Sequence, residues 1–351
     1  MIGGAGVDQG VISRLPSGIG RVTSSRRGKG TKFVRWRPGH REGRLGVTIT
    51  DRDYAGDADY ARMRAFLQAI YPRTVPVVDC TVGDLDWWRW TRADGDDIGA
   101  ARLWFAGDDL VGVAYPTRGE VDLMVHPDHR AVDDAMLVWA EARRFETATA
   151  AGVVGPIGFD AWSFAADAAR EATLRRRGYA KQEAEFLCFR ARALDAPVPA
   201  PAPPPGYTVR HVRGEEDLAR RVAVHRDAFA PSRMTTEKHR AVMASPTYRP
   251  ELDLIAEAPD GRFAAFCIVW FDPVNRIGIF EPVGTHSAHR RRGLGTAVLR
   301  EGMRRLQALG ARVAHVNSWT VEPPAAALYD SVGLTEIGRN HRWKRVVGDG
   351  G

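Results

Sequence analysis

Residues 290–295 read Arg-Arg-Arg-Gly-Leu-Gly, and this stretch decides how the rest of the chain is interpreted. It follows the pattern R-x-x-G-x-G and leads at once into a helix-like run from Thr296 to Leu309. Glycines allow main-chain N–H groups to close around an anion, and the following helix offers the positive end of its dipole. The stretch therefore predicts a backbone cradle for a pyrophosphate, which we call the phosphate loop (residues 290–296).

The segments around the phosphate loop are predicted in the order strand, helix, strand, helix. Residues 276–283 (Arg-Ile-Gly-Ile-Phe-Glu-Pro-Val) carry the β-branched and aromatic residues of a strand. After the helix, Gly310 suits a C-cap and residues 312–316 favour a second strand. A last helix begins with the prolines at 323–324, which its first turn tolerates, and ends at Gly333.

This array resembles the GNAT superfamily of acyl-CoA-dependent N-acyltransferases over residues 207–345. Besides R-x-x-G-x-G, residues 325–334 (Ala-Ala-Ala-Leu-Tyr-Asp-Ser-Val-Gly-Leu) are similar to the family's closing A-x-x-L-Y-x-x-x-G-F. Glu322 departs from the family, which often has Asn there. The resemblance implies acetyl transfer from acetyl-CoA, as co-substrate, to a primary amine of a small molecule. It also implies direct attack in a ternary complex and no metal.

A fainter copy of the same arrangement lies earlier in the chain. Residues 121–130 (Val-Asp-Leu-Met-Val-His-Pro-Asp-His-Arg) correspond to the strand and loop that end at Arg290, and residues 136–145 correspond to the helix. Residues 174–179 (Leu-Arg-Arg-Arg-Gly-Tyr) correspond to the closing motif. The predicted fold class is therefore α/β (α+β), with two tandem GNAT folds, each a central mixed, mostly antiparallel sheet flanked by helices.

The N-terminal copy is expected to be degenerate. Arg130 is followed by Ala-Val-Asp-Asp at 131–134 instead of two glycines, and an aspartate pair repels a pyrophosphate. Leu174 stands at the position of Tyr329. We expect this half to act as a scaffold that packs against the active half and walls its substrate cleft.

A chain of 351 residues is long enough for two domains. Residues 195–206 contain six prolines and predict a linker between a degenerate domain at 45–194 and a catalytic, acyl-CoA-binding domain at 207–347. Residues 1–44 carry ten Lys or Arg and two acidic residues, which predicts a basic, Gly-rich, disordered tail. The rest of the chain has a net charge of −1, so nucleic acid is not an expected partner.

Cysteine usage and hydropathy predict a cytoplasmic protein with no membrane partner. Cys80, Cys188 and Cys267 are widely spaced and form no C-x-x-C motif, which favours a reducing compartment and argues against a zinc site. The chain contains no signal-peptide core and no apolar run long enough to span a bilayer. The Ala-, Arg- and Gly-rich composition is associated with a bacterial source. The choice between monomer and homodimer stays open.

The cofactor is expected to bind mainly through the main chain. N–H groups of Arg291 to Gly295 are expected to hold the pyrophosphate, and the guanidinium groups of Arg290 and Arg291 to add charge-assisted hydrogen bonds. An N–H near Val283 to Thr285 is expected to stabilise the oxyanion. The complete candidate set is Val283, Thr285, Arg290, Arg291, Arg292, Gly293, Leu294, Gly295 and Thr296.

Two residues are candidates for proton transfer. Glu281 lies two positions before Val283, so both are expected on one face of the strand, which the resemblance places toward the cleft. Its carboxylate is expected to take a proton from the substrate ammonium, directly or through water. The alternative is that it only binds the cation or pairs with an Arg. By resemblance Tyr329 is the acid that protonates the departing thiolate, and the alternative is a core tyrosine with its hydroxyl satisfied.

Acceptor-binding residues are predicted from position and chemistry alone. Trp88 and Phe229 could line a pocket, and Asn317 and Trp319 end the second strand, where they could contact an amine or its hydroxyls. The alternatives are core or interface packing for the tryptophans of 87–90 and ordinary loop chemistry for the others. His286 and His289 are interpreted as solvated loop residues or as groups that tune the amine. A non-catalytic acyl-CoA-binding sensor or interaction protein is the alternative function.

Overall fold

The computed structural model describes residues 48–91, 100–116, 120–319 and 323–347. The predicted tail at 1–44 lies outside the described residues. The helices are α1 (Asp57–Thr74), α2 (Val82–Thr91), α3 (Val132–Ala150), α4 (Ala168–Arg176), α5 (Glu215–Ala228), α6 (Thr236–Met243), α7 (Leu294–Ala308) and α8 (Pro323–Ser331). The strands are β1 (Ile49–Asp53), β2 (Arg102–Ala106), β3 (Asp109–Pro116), β4 (Glu120–Val125), β5 (Ile157–Phe164), β6 (Ala180–Ala193), β7 (Thr208–His211), β8 (Asp253–Glu257), β9 (Phe263–Asp272), β10 (Ile277–Thr285), β11 (Val313–Trp319) and β12 (Thr335–Val347).

Two units with the same order of elements follow each other along the chain. The N-terminal unit runs from β1 to β6 and the C-terminal unit from β7 to β12, and each has the order β-α-α-β-β-β-α-β-α-β. Most neighbouring strands are antiparallel, and one parallel pair occurs in each unit, β4 with β5 and β10 with β11. The predicted tandem α/β fold with mixed sheets is confirmed.

The two units share one twelve-stranded sheet, because each receives the last strand of the other. The order is β1-β2-β3-β4-β5-β12-β6-β11-β10-β9-β8-β7. Strand β12 pairs with β5, where Trp343 lies opposite Ala161, and β6 pairs with β11, where Arg190 lies opposite Val316. The two exchanged strands also pair with each other. The motif copies in the sequence therefore do not coincide with separate sheets.

The proline-rich segment between the units is anchored to α7. The Val198 side chain is buried in the core beneath that helix. Its main-chain N–H donates to Gln307 Oε1 at 3.2 Å, and Gln307 Nε2 donates to the carbonyl oxygens of Leu194 at 3.1 Å and Ala196 at 2.7 Å. The start of the predicted linker is thus packed on the helix that follows the phosphate loop.

Helix α7 forms for the reasons that its sequence predicts. Leu299, Met303 and Leu306 recur at helical spacing and are fully buried against the sheet. Gly310 adopts φ 81°, and the N–H of Ala311 donates to the carbonyl of Leu306 at 2.9 Å, which closes the C-terminus. Among the described residues, no helix is both long and apolar enough to cross a bilayer.

Helix α2 of the N-terminal unit packs on the sheet of the C-terminal unit. A Cβ atom on Gly83 would lie 2.4 Å from Ile279 Cγ2 and 2.5 Å from Trp270 Cβ, so only glycine allows this close approach. One turn later Trp87 packs against Trp270, with ring centroids 6.4 Å apart. The N-terminal unit thereby forms one wall over strands β9 and β10.

Candidate active site

Strands β10 and β11 diverge in the middle of the C-terminal unit. Their parallel pairing runs from Ile277 opposite Val313 to Ile279 opposite His315. Beyond that point β11 remains paired with β6 as far as Trp319, while β10 remains beside β9. The result is a split between residues 281–285 of β10 and residues 317–319 of β11. Main-chain groups of β10 face this split instead of forming hydrogen bonds with β11.

The phosphate loop has the backbone conformation of an anion-binding nest. Arg291 and Gly293 have φ values of 61° and 74°, in the left-handed region, whereas Arg290 is extended. Such alternation turns successive N–H groups toward one point. Gly293 is also the N-cap of α7, and its carbonyl accepts the N–H of Ala297 at 3.0 Å. First-turn N–H groups, which have no partner inside the helix, add to the same positive site.

Gly295 lets the start of α7 pack closely against α8. A Cβ atom there would lie 3.1 Å from Leu328 Cδ2 and 3.5 Å from Thr285 Oγ1. Nearby, Thr296 Oγ1 lies 3.2 Å from Ser331 Oγ, which also links the two helices. These contacts hold the nest against the open end of the split.

The arginines of the loop do not have equivalent surroundings. Arg290, Arg291 and Arg292 are all exposed. Arg292 Nη1 donates to the Tyr207 hydroxyl at 3.0 Å, and that oxygen lies 2.9 Å from His289 Nδ1. Arg292 is therefore held against β7, while Val283 and Leu294 are buried and can contribute only main-chain groups.

The two loop histidines have structural surroundings. His289 is 9% exposed, and burial lowers the pKa of its imidazole. His286 Nδ1 accepts the N–H of Ala288 at 3.1 Å and lies 3.4 Å from an Asp227 oxygen. Both rings thus shape the turn that leads into the phosphate loop, a role that neither of the two sequence-based interpretations included.

Glu281 and Val283 lie on opposite faces of β10, and the expectation from their spacing was wrong. The register between β10 and β9 shifts between Phe280 and Val283. Because of this bulge, Phe280 and Val283 both pack into the core beside α7 although they are three positions apart. Glu281 faces α2 instead, where a side-chain hydrogen bond joins it to Asp84.

The carboxyl groups of Asp84 and Glu281 are buried together between the units. Their residues are 3% and 6% exposed. Asp84 Oδ2 accepts the N–H and the hydroxyl of Thr81, each at 2.7 Å, as in a capping box at the start of α2. Burial raises the pKa of Asp84, while the hydrogen bonds from Glu281 and Thr81 lower it. On the other side, Trp270 Nε1 donates to the Glu281 carbonyl at 2.8 Å.

Tyr329 lies on α8 and packs in the core that also contains Val283 and Leu294. It is 1% exposed. Its carbonyl accepts the N–H groups of Val332 at 3.1 Å and Leu334 at 3.0 Å, which ends the helix at the predicted Gly333. The tyrosine is thus fixed between the phosphate loop and the split. Glu322, just before α8, lies outside the described residues.

The four candidate acceptor residues separate into two groups. Asn317 and Trp319 lie on β11 at the split, and Trp319 packs edge-on against Trp162 of the N-terminal unit at 5.4 Å. Trp88 is stacked on Tyr115 at 5.7 Å, and Phe229 packs beside His225 and Phe266. Asn317 and Trp319 therefore belong to the strand that borders the split, whereas Trp88 and Phe229 are described by their aromatic packing.

Sequence reasoning missed a contact between the units at the point where the strands diverge. His315 on β11 is 5% exposed, and its Nε2 lies 2.7 Å from the hydroxyl of Tyr71 on α1. Burial lowers the pKa of His315 to about 4 and raises that of Tyr71 to about 12. The imidazole is therefore neutral at pH 7 and is hydrogen-bonded to the tyrosine hydroxyl. A lone histidine at the end of an apolar strand was the available signal.

We expect His315 to make the protein sensitive to acid. The folded state holds the imidazole neutral down to about pH 4, whereas the unfolded chain binds a proton near pH 6.5. The unfolded state thus binds more protons in this window, so stability is complete above pH 6.5 and falls by about 3 kcal/mol as the pH drops to 4. Urea unfolding at pH 7 and pH 4.5 should show a smaller loss in His315→Gln than in the wild type. The exposed His211→Gln is the control, and an unchanged loss in His315→Gln would contradict the expectation.

The N-terminal unit has carboxylates where the C-terminal unit has its nest. Ala131, the N-cap of α3, is right-handed, and Asp133 in the first turn is 1% exposed. Asp133 pairs with Arg130 at 2.7 Å and with Arg170 at 3.3 Å, and Arg170 also pairs with Asp79 at 2.9 Å. Carboxylates of the N-terminal unit thus pair with these arginines at the start of α3, which is consistent with a degenerate copy.

Comparison with known proteins identifies relatives of both units. A profile of the Acetyltransferase (GNAT) family matches residues 223–334. The chain is similar to a mycothiol acetyltransferase from Kineococcus radiotolerans, with 32% identity over 231 residues that cover 64% of this chain and 69% of the relative. It is also similar to the mycothiol acetyltransferase of an Arthrobacter species, with 28% identity over 242 residues that cover 65% and 72%.

Solved structures share the fold over most of their length. A GCN5-related N-acetyltransferase from Sphaerobacter thermophilus superposes with a TM-score of 0.63 at 21% identity, covering 86% of this chain and 96% of that one. A tandem GNAT protein from the clavulanic acid biosynthesis pathway gives 0.60 at 18% identity, covering 86% and 100%. At these identities the likeness is one of fold.

Proposed function

This chain belongs to the GNAT family of acetyltransferases and is an N-acetyltransferase, and we propose that its C-terminal unit transfers acetyl from acetyl-CoA to a primary amine of a small molecule. The observation that carries the proposal is the split between β10 and β11, which has the phosphate loop at one end and Glu281 on one wall. A backbone that suits an anion and a buried carboxyl beside the same opening support this proposal. The limits 45–194 and 207–347 for the two domains, and a cytoplasmic location, are proposed with it.

The residues of the phosphate loop fit the diphosphate of acetyl-CoA. The nest formed by Arg291 and Gly293 presents N–H groups, and the dipole of α7 favours the same charge. Arg290 and Arg291, which are exposed, can add charge-assisted hydrogen bonds. When bound, acetyl-CoA supplies an acetyl group activated as a thioester. Main-chain N–H groups of Val283 to Thr285 would then donate to the acyl oxygen in the split.

Two proton transfers are assigned to side chains of the site. Glu281 accepts a proton from the substrate ammonium, so that the amine can attack. Tyr329 donates its hydroxyl proton to the leaving sulfur, and the proton lost from nitrogen as the amide forms restores the phenol. The burial of both residues keeps bulk water away from these steps.

The acceptor is proposed from chemistry and from the relatives. The carboxyl pair of Asp84 and Glu281 suits a cationic amine, and Asn317 and Trp319 at the split can bind the polar and apolar parts of an attached group. Since the relatives are named mycothiol acetyltransferases, we propose a cysteinyl sugar conjugate, the acceptor class of mycothiol synthase, as the first acceptor to test.

The test is release of free thiol from acetyl-CoA in the presence of a panel of primary amines. Amino sugars, polyamines, amino acids and cysteinyl sugar conjugates form the panel. We expect at least one amine to stimulate thiol release in step with formation of an N-acetylated product. Tight binding of acetyl-CoA without stimulation by any amine would favour the non-catalytic sensor and overturn the proposal.

A further inference from the structure

We propose that Asp84 of the N-terminal unit shares a proton with Glu281, so that the two carboxyl groups act together as the base of the C-terminal unit. The inference rests on the proposed role of Glu281 in acetyl transfer. It makes Asp84 a positioning residue that acts through Glu281, and it gives the degenerate unit a part in the chemistry of the active one.

The geometry of α2 brings the two carboxyl groups together. Gly83 allows the start of α2 to lie directly on Ile279 and Trp270. Ile279 is two residues before Glu281 on β10, and Trp270 lies opposite Ile279 on the neighbouring strand β9. Glu281 shares the face of Ile279, two positions earlier in β10, and therefore faces this helix. Trp270 holds the main chain of Glu281 through its indole N–H. Helix, strand and tryptophan thus fix one relative position for the pair.

Two buried carboxyl groups in hydrogen-bond contact cannot both be ionised, so they share one proton. Asp84 accepts two hydrogen bonds from Thr81, which favour its ionised form. The shared proton is therefore held mainly on Glu281, which donates it to Asp84. As a result, Glu281 by itself is not an ionised base near neutral pH, and the negative charge that drives proton uptake is on its partner.

Burial keeps several other titratable side chains around the pair neutral near pH 7. Burial raises the pKa of Cys80, which precedes α2, well above its ordinary value, and raises that of Tyr71 on α1. Burial lowers the pKa of His315 on β11 and of His225 on α5. Charged groups on or near these elements also include Arg89 on α2, Asp79, Asp86 with Arg64, Asp122, Asp253 with Arg221 and His239, and Asp272. The carboxyl pair is thus the group expected to exchange a proton with the substrate.

The proton step balances within the pair. An N–H bond of the substrate ammonium breaks and an O–H bond forms on Glu281, while the proton that Glu281 held moves to Asp84. The amine becomes neutral, and the pair changes from one negative charge to none. After the product leaves, the pair returns this proton to water.

A purely structural role for Asp84 would be to cap α2, and Asp84→Asn separates the two roles. The asparagine carbonyl can still accept from Thr81, whereas the amide cannot take up a proton. We expect kcat/KM to fall at least about tenfold, which is part of the roughly 10²–10⁴ that general acid–base catalysis contributes, and its acid limb to move up by about one pH unit. In a Glu281→Gln background the same change should cause no further loss. Thr81→Ala is the matched control, because it weakens the cap but keeps both carboxyl groups.

A second measurement needs neither acetyl-CoA nor an acceptor. If the folded protein retains the shared proton and the unfolded chain does not, the unfolding equilibrium constant rises with pH. We divide the unfolding equilibrium constant of the wild type by that of Asp84→Asn or of Glu281→Gln. Between about pH 7 and 8.5 this ratio should increase by up to about tenfold per pH unit. Urea unfolding at several pH values gives this ratio.

The outcomes distinguish this inference from the proposed function. The shared proton would be overturned if the acid limb of kcat/KM did not move in Asp84→Asn and the ratio of unfolding equilibrium constants did not depend on pH. This holds even if the wild type is active and Glu281→Gln impairs it. Additional loss from Asp84→Asn in the Glu281→Gln background would also overturn it. A wild type that releases no thiol with any amine would refute the proposed function, while the unfolding ratio would still test the carboxyl pair.

Discussion

Replacement of Gly293 by aspartate is expected to weaken acetyl-CoA binding at least a hundredfold while the protein remains folded. Gly293 has φ 74°, a region that Asp tolerates better than most residues, and no atom lies within 4 Å of its Cβ position. The added carboxylate would stand at the centre of the nest and repel the diphosphate. A hundredfold loss corresponds to about 2.7 kcal/mol and is measurable by titration calorimetry.

Two variants isolate the effect of charge in this experiment. Gly293→Asn introduces nearly the same shape without charge, so its affinity should stay much closer to that of the wild type. Gly107→Asp adds a carboxylate at another open, left-handed glycine, in the N-terminal unit, and should bind acetyl-CoA normally. Normal binding by Gly293→Asp would show that the diphosphate lies elsewhere.

Tyr329→Phe is expected to lower kcat by about a hundredfold or more, with little change in acetyl-CoA affinity. General acids contribute about 10²–10⁴ to a rate, and the leaving thiolate needs a proton. The ring stays in the core between α7 and α8, so phenylalanine preserves its packing. The loss should be smaller with an acyl donor whose thiol is more acidic, because that leaving group depends less on the donated proton.

The control for Tyr329→Phe is a buried tyrosine of the degenerate unit. Tyr179 is 5% exposed, and its hydroxyl donates to Glu141 at 3.0 Å. Tyr179→Phe should lower thermal stability slightly and leave kcat unchanged. Equal kcat values for Tyr329→Phe and the wild type would assign Tyr329 to the core, the alternative that its sequence position allowed.

Local patterns account for most of what could be predicted about the site. The nest at Arg291 and Gly293 depends on residues that are adjacent in the chain, as does the C-cap at Gly310. Helical spacing of Leu299, Met303 and Leu306 likewise predicts α7. The prediction that Glu281 and Val283 share one face of β10 was wrong. A bulge between Phe280 and Val283 shifts the alternation of the strand, and no local sequence pattern indicates this bulge.

The sequence by itself determined the two α/β units, the phosphate loop and the loss of that loop in the first unit, since each depends on backbone preferences and side-chain periodicity within a short segment. Only the tertiary structure decided that β6 and β12 exchange partners, that α2 covers β10, and that Asp84 meets Glu281. These contacts join segments far apart in the chain. Their positions follow from how helices and strands pack in three dimensions, which no local pattern encodes.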